Sequence, residues 1–183
     1  MNVIIRNYRS NSTDAEKIQK ISQICFSSGL WKTPGRTPEE MERRWEDHSS
    51  QTGFSCLVGE VDQQIIAASW YFEITLDQLA EKRGNELRDF VKSISRQDIS
   101  LVWLGETFVH PDFQRRGYAR QIKERVMDEV RDSLAPAILL TRMRPDNAFI
   151  ISTNKKLGFR PTGISVLSKT KPGVFHEYWY MFL

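Results

Sequence analysis

Seven residues, Gln114-Arg115-Arg116-Gly117-Tyr118-Ala119-Arg120, carry the chemistry most readily read from this chain. Three arginines surround a glycine, just after an apolar run that ends in Val109-His110-Pro111 and just before a stretch with helical periodicity. That arrangement suits an anion, and a phosphate above all. Backbone N–H groups at a helix start point outward with no intrahelical acceptor, and the helix dipole adds positive potential there. Glycine lets a ligand approach the main chain without meeting a Cβ. Two common nucleotide loops are excluded, because the chain holds neither G-x-x-x-x-G-K-[ST] nor a G-x-G-x-x-G after a strand.

A second set of residues could move protons. Strand alternation groups Val102, Leu104, Glu106, Phe108 and His110 on one face. A carboxylate among apolar neighbours is a candidate general base, and equally a candidate ion-pair partner for a neighbouring strand or helix. His110 is a second candidate base, with a surface histidine at a strand end as the simpler reading. The three histidines (His48, His110, His176) are scattered and Cys25 and Cys56 lie far apart, so no metal-ligand spacing exists and no metal is expected.

The elements that must position these residues read as follows. Val3 to Tyr8 forms a first strand. Thr13 to Glu16 has the form of a capping box, and Ile18, Ile21, Ile24 and Cys25 follow at helical spacing. Residues 29–36 form a loop by composition. Thr37-Pro38-Glu39-Glu40 opens a second helix, with proline at the first helical position. Phe54 to Val61 and Ile65 to Thr75 pair about a turn at Asp62-Gln63-Gln64. Residues 76–98 read as helix broken at Gly84-Asn85. Leu101 to Val109 is a strand, and Ala119, Ile122, Val126 and Val130 mark one face of the helix that starts at Gly117. Ala137 to Met143 is a near-continuous apolar strand, as expected where both faces are covered. Asn147 to Leu157 is a helix with Gly158 in place to end it, and Ile164–Lys169 and Val174–Leu183 form a final hairpin.

Composition bounds the rest. At 183 residues and 40% hydrophobic content the chain fits one domain, 1–183, with a single core. A formal charge of +3 suits a small anionic ligand and is too small to argue for nucleic acid. The longest apolar stretch, Ile65 to Phe72, is too short to cross a bilayer, so no membrane association is expected. The isolated cysteines and the absence of a signal-peptide pattern point to the cytoplasm.

The run Gln114-Arg115-Arg116-Gly117-Tyr118-Ala119 resembles the Q/R-x-x-G-x-G/A signature of the GNAT superfamily of N-acetyltransferases, and its lead-in Thr107-Phe108-Val109-His110-Pro111 resembles the strand that precedes it there. Asn147 followed by Leu157-Gly158-Phe159 is similar to the family's later Asn-helix-Gly-Phe pattern. The resemblance is close over residues 100–160; the first half agrees only in the order of its elements. It implies an α/β fold, a mixed, mostly antiparallel twisted sheet of about seven strands flanked by helices. It implies acetyl transfer from acetyl-CoA, as acyl donor, to a primary amine on a small molecule or peptide, by direct attack in a ternary complex. Gln114, Arg115, Arg116, Gly117, Tyr118, Ala119 and Arg120 would hold the pyrophosphate; Thr107, Phe108 and Val109 the pantetheine and acyl carbonyl; Asn147 and Asn154 the CoA arm; Glu106 would be the base.

This chain departs from the family at residue 154. The family usually carries a tyrosine there as a proposed general acid, and this chain has Asn154, which can donate a hydrogen bond but has no useful acidity. A thiol leaving group with a pKa of about 8.5, by analogy with cysteine, does not require that acid. Tyr118, Thr153 and the C-terminal tyrosines are substitute hydroxyls. Arg142 stands where some relatives place an acidic base, which points to a different arrangement or to an anionic group on the acceptor. Leu30, Trp31 and Arg36, with Phe175, His176, Tyr178 and Trp179, are candidates for the acceptor side, although any one aromatic there reads first as core. The 76–98 segment fits a charged surface helix, and alternatively a lid or a homodimer contact. Two rival readings remain: a non-catalytic acyl-CoA-binding module, motivated by Asn154, and a nucleotide- or RNA-binding domain using Arg115 and Arg116.

Overall fold

The computed structural model describes residues 3–10, 13–27, 37–168 and 172–183. Seven strands form one sheet in the order β1-β2-β3-β4-β5-β7-β6. They are β1 (Ile4–Asn7), β2 (Ser55–Val61), β3 (Gln64–Glu73), β4 (Ser100–Val109), β5 (Ala137–Met143), β6 (Arg160–Leu167) and β7 (Phe175–Phe182). The helices are α1 (Asp14–Phe26), α2 (Pro38–Ser49), α3 (Leu76–Arg83), α4 (Asn85–Ile94), α5 (Tyr118–Leu134) and α6 (Ala148–Lys156). β4 and β5 pair in parallel, while β1–β2, β2–β3, β5–β7 and β6–β7 pair antiparallel. The mixed α/β fold is the one expected from the sequence.

The residues group into two compact units. One comprises Met1–Phe72 with Gly105–Met127, the other Glu73–Leu104 with Asp128–Leu183. In the first unit α1 and α2 lay their apolar faces on the sheet. Ile18, Ile21, Cys25 and Phe26 of α1 and Met41 and Trp45 of α2 pack with Cys56, Val58, Ile65, Ala68, Trp70 and Phe108. The aromatic members meet edge to face, Trp45 against Trp70 and Trp70 against Phe108, with centroids 5.3 and 5.7 Å apart. Asp62 and Gln63, both at positive φ, make the tight turn between β2 and β3.

In the second unit the central strand β5 is buried almost end to end, as its apolar run predicts. Its neighbour β7 buries Tyr178 and Trp179. Helices α3 and α4 are divided at Gly84, whose φ of +102° a β-carbon would oppose. Thr75 and Gln78 form a reciprocal capping box at the start of α3.

One local expectation fails. Thr13 makes no side-chain cap to α1. Asp14 explains why: it is 3% exposed and accepts from the Arg6 guanidinium and from the Arg9 backbone N–H. Arg6 also reaches Glu60 at 2.5 Å, so an ion-pair network rather than a capping box anchors the helix start to β1 and β2. These carboxylates hold the Arg6 guanidinium above its ordinary range.

Candidate active site

The loop after β4 is built from its backbone. The β4 carbonyl of Val109 accepts from the Cys25 thiol at 3.3 Å and from the Gln114 side-chain amide at 3.0 Å, which ties the strand end down. His110 accepts the Asp112 N–H at 3.3 Å and so caps a single 3-10 turn, Pro111–Phe113. Its imidazole is spent on that turn and packs beside Phe113, which favours the structural reading of this residue. Arg115 then adopts φ +62° and Gly117 φ +83° before α5 begins. The N–H groups of Arg115, Arg116 and Gly117 meet no acceptor among the described residues. A β-carbon at Gly117 would find its nearest heavy atom, Gln121 Nε2, at 3.8 Å, so open space lies over the glycine. Three outward donors, a helix N-terminus and free space make an anion cradle.

The three arginines differ. Arg116 donates to the Asp112 carbonyl at 3.1 Å and lies over the Phe113 ring. Arg120 pairs with Glu124 at 2.8 Å, one turn along α5. Arg115 is exposed and has no partner among the described residues. Tyr118, the first helical residue, is buried, and Ala119 follows half-buried.

Upstream on β4, Thr107 and Glu106 point to opposite faces. The Thr107 hydroxyl shares a 2.8 Å hydrogen bond with that of the fully buried Ser69. Phe108 joins the aromatic core. Glu106 meets Arg44 of α2 at 2.5 Å, with its side chain 12% exposed. The ion-pair reading of Glu106 is therefore present in this structure, and a base role requires Arg44 to exchange partners. Directly before Glu106, Gly105 leaves room for Trp70: an added β-carbon would stand 2.6 Å from the indole Nε1. That indole donates to Nδ1 of the buried His48 at 3.0 Å, which places the proton of a neutral imidazole on Nε2.

Asn147 and Asn154 belong to the second unit. The Asn147 side chain accepts the Ile150 N–H at 3.2 Å, an N-cap for α6. Asn154 has no exposed surface; its side-chain amide donates to the Met143 sulfur and its main-chain carbonyl accepts the Phe159 N–H. Asn154, expected to line the CoA arm, is enclosed where α6 packs on β5. Arg142 lies opposite Tyr178 in the β5–β7 register. Burial pushes the Tyr178 phenol up, against the pull of Arg142 and Arg83. Tyr178 and Trp179 are core residues, while Phe175 is about half exposed. Leu30, Trp31 and Arg36 lie outside the described residues.

Three features escaped the sequence reading. Lys123 is 3% exposed on the apolar face of α5, and burial pushes its ammonium down to about 7. Its place next to Ile122 and three before Val126 was the available signal. Arg44, which meets Glu106, and Ser22, which lines a small cleft with Arg44, carry no local signature. Among the described residues no cluster of three or more His, Cys, Asp or Glu side chains is arranged for a metal ion, and no helix is long and apolar enough to cross a membrane.

A strand that ends in a backbone anion cradle, with a carboxylate two residues before Phe108, can hold a phosphate beside a group able to move a proton. The acetyltransferase (GNAT) family profile matches residues 16–159, and the chain belongs to that family. It is an N-acetyltransferase, the enzyme its motifs imply. No curated protein sequence matches it. Among solved structures it is similar to Arabidopsis thaliana NAA60 in complex with acetyl-CoA, at 12% identity and TM-score 0.71, over 100% of this chain and 99% of that one. It is also similar to the Escherichia coli ribosomal-protein-S18-alanine N-acetyltransferase (15% identity, TM-score 0.66, 99% and 94% covered). The spermidine/spermine N-acetyltransferase SpeG from Vibrio cholerae shares the fold as well (14% identity, TM-score 0.62, 99% and 95% covered). At these identities the likeness establishes the fold.

Proposed function

We propose that residues 1–183 act as one domain that moves an acetyl group from acetyl-CoA to a primary amine in a ternary complex. The observation that carries the donor assignment is the cradle at 115–117, three N–H groups without acceptors beneath the open face of Gly117. The family match spans residues of both compact units, which supports a single functional domain.

In this reading Arg115, Arg116 and Gly117 give their N–H groups to the pyrophosphate, and the uncommitted Arg115 side chain adds charge. Gln114 acts indirectly by tying the loop to Val109. Tyr118, Ala119 and Arg120 set the first turn of α5, whose dipole favours the anion. Thr107, Phe108 and Val109 line the pantetheine and acyl carbonyl along β4. Asn147 contributes at the start of α6, while Asn154 positions α6 against β5 and reaches the arm through that helix alone.

Acetyl-CoA supplies an activated thioester: the C–N bond forms, the C–S bond breaks, and the thiolate leaves and takes up a proton. Glu106 takes the proton that the attacking amine must lose. Its carboxylate is held by Arg44 until the acceptor arrives. The acceptor is a small-molecule or peptide amine, and the two free thiols, Cys25 and Cys56, fit the reducing cytoplasm.

Thermal unfolding with acetyl-CoA, CoA and ATP tests the donor site. Acetyl-CoA and CoA are expected to raise the midpoint and ATP to leave it near the unliganded value. No response to either CoA species would refute the cradle assignment. Release of CoA thiol over a panel of amines then tests turnover.

A further inference from the structure

Glu106 and Arg44 meet at 2.5 Å, and the two partners are held very differently. Glu106 sits on a fixed piece of main chain. Its carbonyl accepts from the fully buried Ser69 hydroxyl at 3.2 Å. That spends the one proton of Ser69, so in the 2.8 Å contact between Ser69 and Thr107 the Thr107 hydroxyl is the donor. Gly105, the residue before, packs against Trp70, whose indole donates to His48. Arg44 is the looser partner. Among the described residues its guanidinium makes one ion pair, to Glu106, and its Nε has no hydrogen-bond partner. Beside it α1 presents Gln19 and Ser22, neither charged, and one turn along α2 stands His48, its Nδ1 taken by Trp70. The Arg44 side chain is 27% exposed against 12% for Glu106, so the arginine is the partner that can leave toward solvent.

At rest, then, the carboxylate that must serve an amine already holds a cation. Removing that cation alone would leave a largely buried carboxylate uncompensated, which is the costly way to open such a pair. An ammonium that arrives as the guanidinium leaves keeps the charge balanced throughout. The space it needs is the one that the larger guanidinium gives up, so no separate pocket is required. A neutral amine brings no charge and competes poorly for a carboxylate already in a charge-assisted bond.

We infer that Arg44 is a placeholder for the acceptor's ammonium: the acceptor binds Glu106 as a cation in exchange for Arg44, and Arg44 takes Glu106 back once the amine has become a neutral amide. The inference rests on the reading of Glu106 as the base. It adds the charge state in which the acceptor is selected and a means of releasing the product. The ammonium gives one proton to Glu106, which passes it to solvent. The neutral amine then attacks the thioester, the C–N bond forms and the C–S bond breaks, and the second nitrogen proton ends on the CoA thiolate. Arg44 touches no reacting atom. It is a positioning residue that makes every acceptor compete with the chain's own cation.

Two measurements of CoA-thiol release test this, with butylamine, spermidine and a short alanyl peptide as acceptors. The first uses Arg44→Ala and Arg44→Lys. A placeholder that occupies Glu106 about nine-tenths of the time weakens the acceptor about tenfold, so Arg44→Ala is expected to lower KM for the amine by about that factor, the change falling on KM rather than kcat. Arg44→Lys is expected to keep KM close to wild type, and free methylguanidinium to inhibit Arg44→Ala competitively with the amine. An unaltered thermal response to acetyl-CoA establishes that each variant is folded. A KM unchanged or raised in Arg44→Ala would overturn the placeholder and leave the acetyltransferase reading intact. The second measurement needs no variant. Over the two pH units below the acceptor's own pKa, wild-type KM is expected to stay within about twofold, whereas selection of the neutral amine would make KM fall about tenfold per pH unit and would overturn the inference. A Glu106→Gln variant with undiminished kcat would instead remove the base assignment on which the inference stands.

Discussion

Lys123→Met isolates the electrostatic consequence of placing an ammonium on the buried face of α5. The side chain is 3% exposed, and loss of hydration pushes its pKa from 10.5 to about 7. In the unfolded chain the ammonium keeps its proton up to about pH 10.5. Between pH 7 and 10.5 the unfolded state therefore binds one more proton than the folded state, and stability rises with pH across that window. Below pH 7 both states are protonated and the full cost is constant. At about 1.4 kcal/mol per pH unit the whole gap corresponds to about 5 kcal/mol, of which about 4 is felt at pH 7 and about 2 at pH 9. Methionine keeps the length and removes the charge. The difference in unfolding free energy between the variant and the wild type is therefore expected to shrink by about 2 kcal/mol from pH 7 to pH 9. Urea unfolding followed by tryptophan fluorescence at the two pH values measures it, with equal m-values as the control. Parallel stability changes for the two proteins over that range would refute a desolvated Lys123.

Three further outcomes follow from the same geometry. Gly105→Ala forces a β-carbon to within 2.6 Å of a Trp70 indole that packs edge to face with Trp45 and Phe108, so the variant is expected to lose about 1–3 kcal/mol in urea unfolding; an unchanged midpoint would show that the ring can yield. Gly117→Glu puts a carboxylate and a strained φ of +83° into the cradle, and the thermal response to acetyl-CoA is expected to vanish, whereas retained affinity would remove the pyrophosphate from this loop. Burial pushes the Cys25 thiol up to about 12, and both cysteines are buried, so a thiol reagent at pH 8 is expected to label neither in the native protein and both in denaturant; rapid native labelling of Cys25 would mean that α1 opens from Val109.

Most of the fold is legible in the sequence because its signals are local. The run Ala137–Met143 is the observed β5, the Asp62-Gln63 turn takes positive φ, and the helix break falls at Gly84. Each depends on neighbours within a few residues. The capping box at Thr13 fails because its competitor, the pairing of Asp14 with Arg6 and of Arg6 with Glu60, needs a strand far along the chain from Asp14. The burial of Asn154 was hidden for a similar reason: helical spacing places it on α6, but only the packing of α6 against Met143 turns it inward.

The two halves of the proposed active site separate along the same line. The donor cradle is made of main-chain N–H groups, and main-chain recognition demands particular φ values, a glycine and a helix start at fixed spacing. Those demands are written into consecutive residues, so Gln114 to Arg120 reads as an anion site from residue order alone. Its side chains are less legible, since only the fold shows that Arg116 and Arg120 are committed and Arg115 is not. The proposed base, Glu106, is different: its partner Arg44 comes from α2, at no spacing that residue order reveals. A sequence can advertise a group that donates; whether that donor finds an acceptor is fixed by every element packed around it. On the proposed reading the donor site therefore sits in a motif, whereas the state of the base is set by packing, and substitutions at Arg44 change proton transfer without touching the loop that holds the acyl donor.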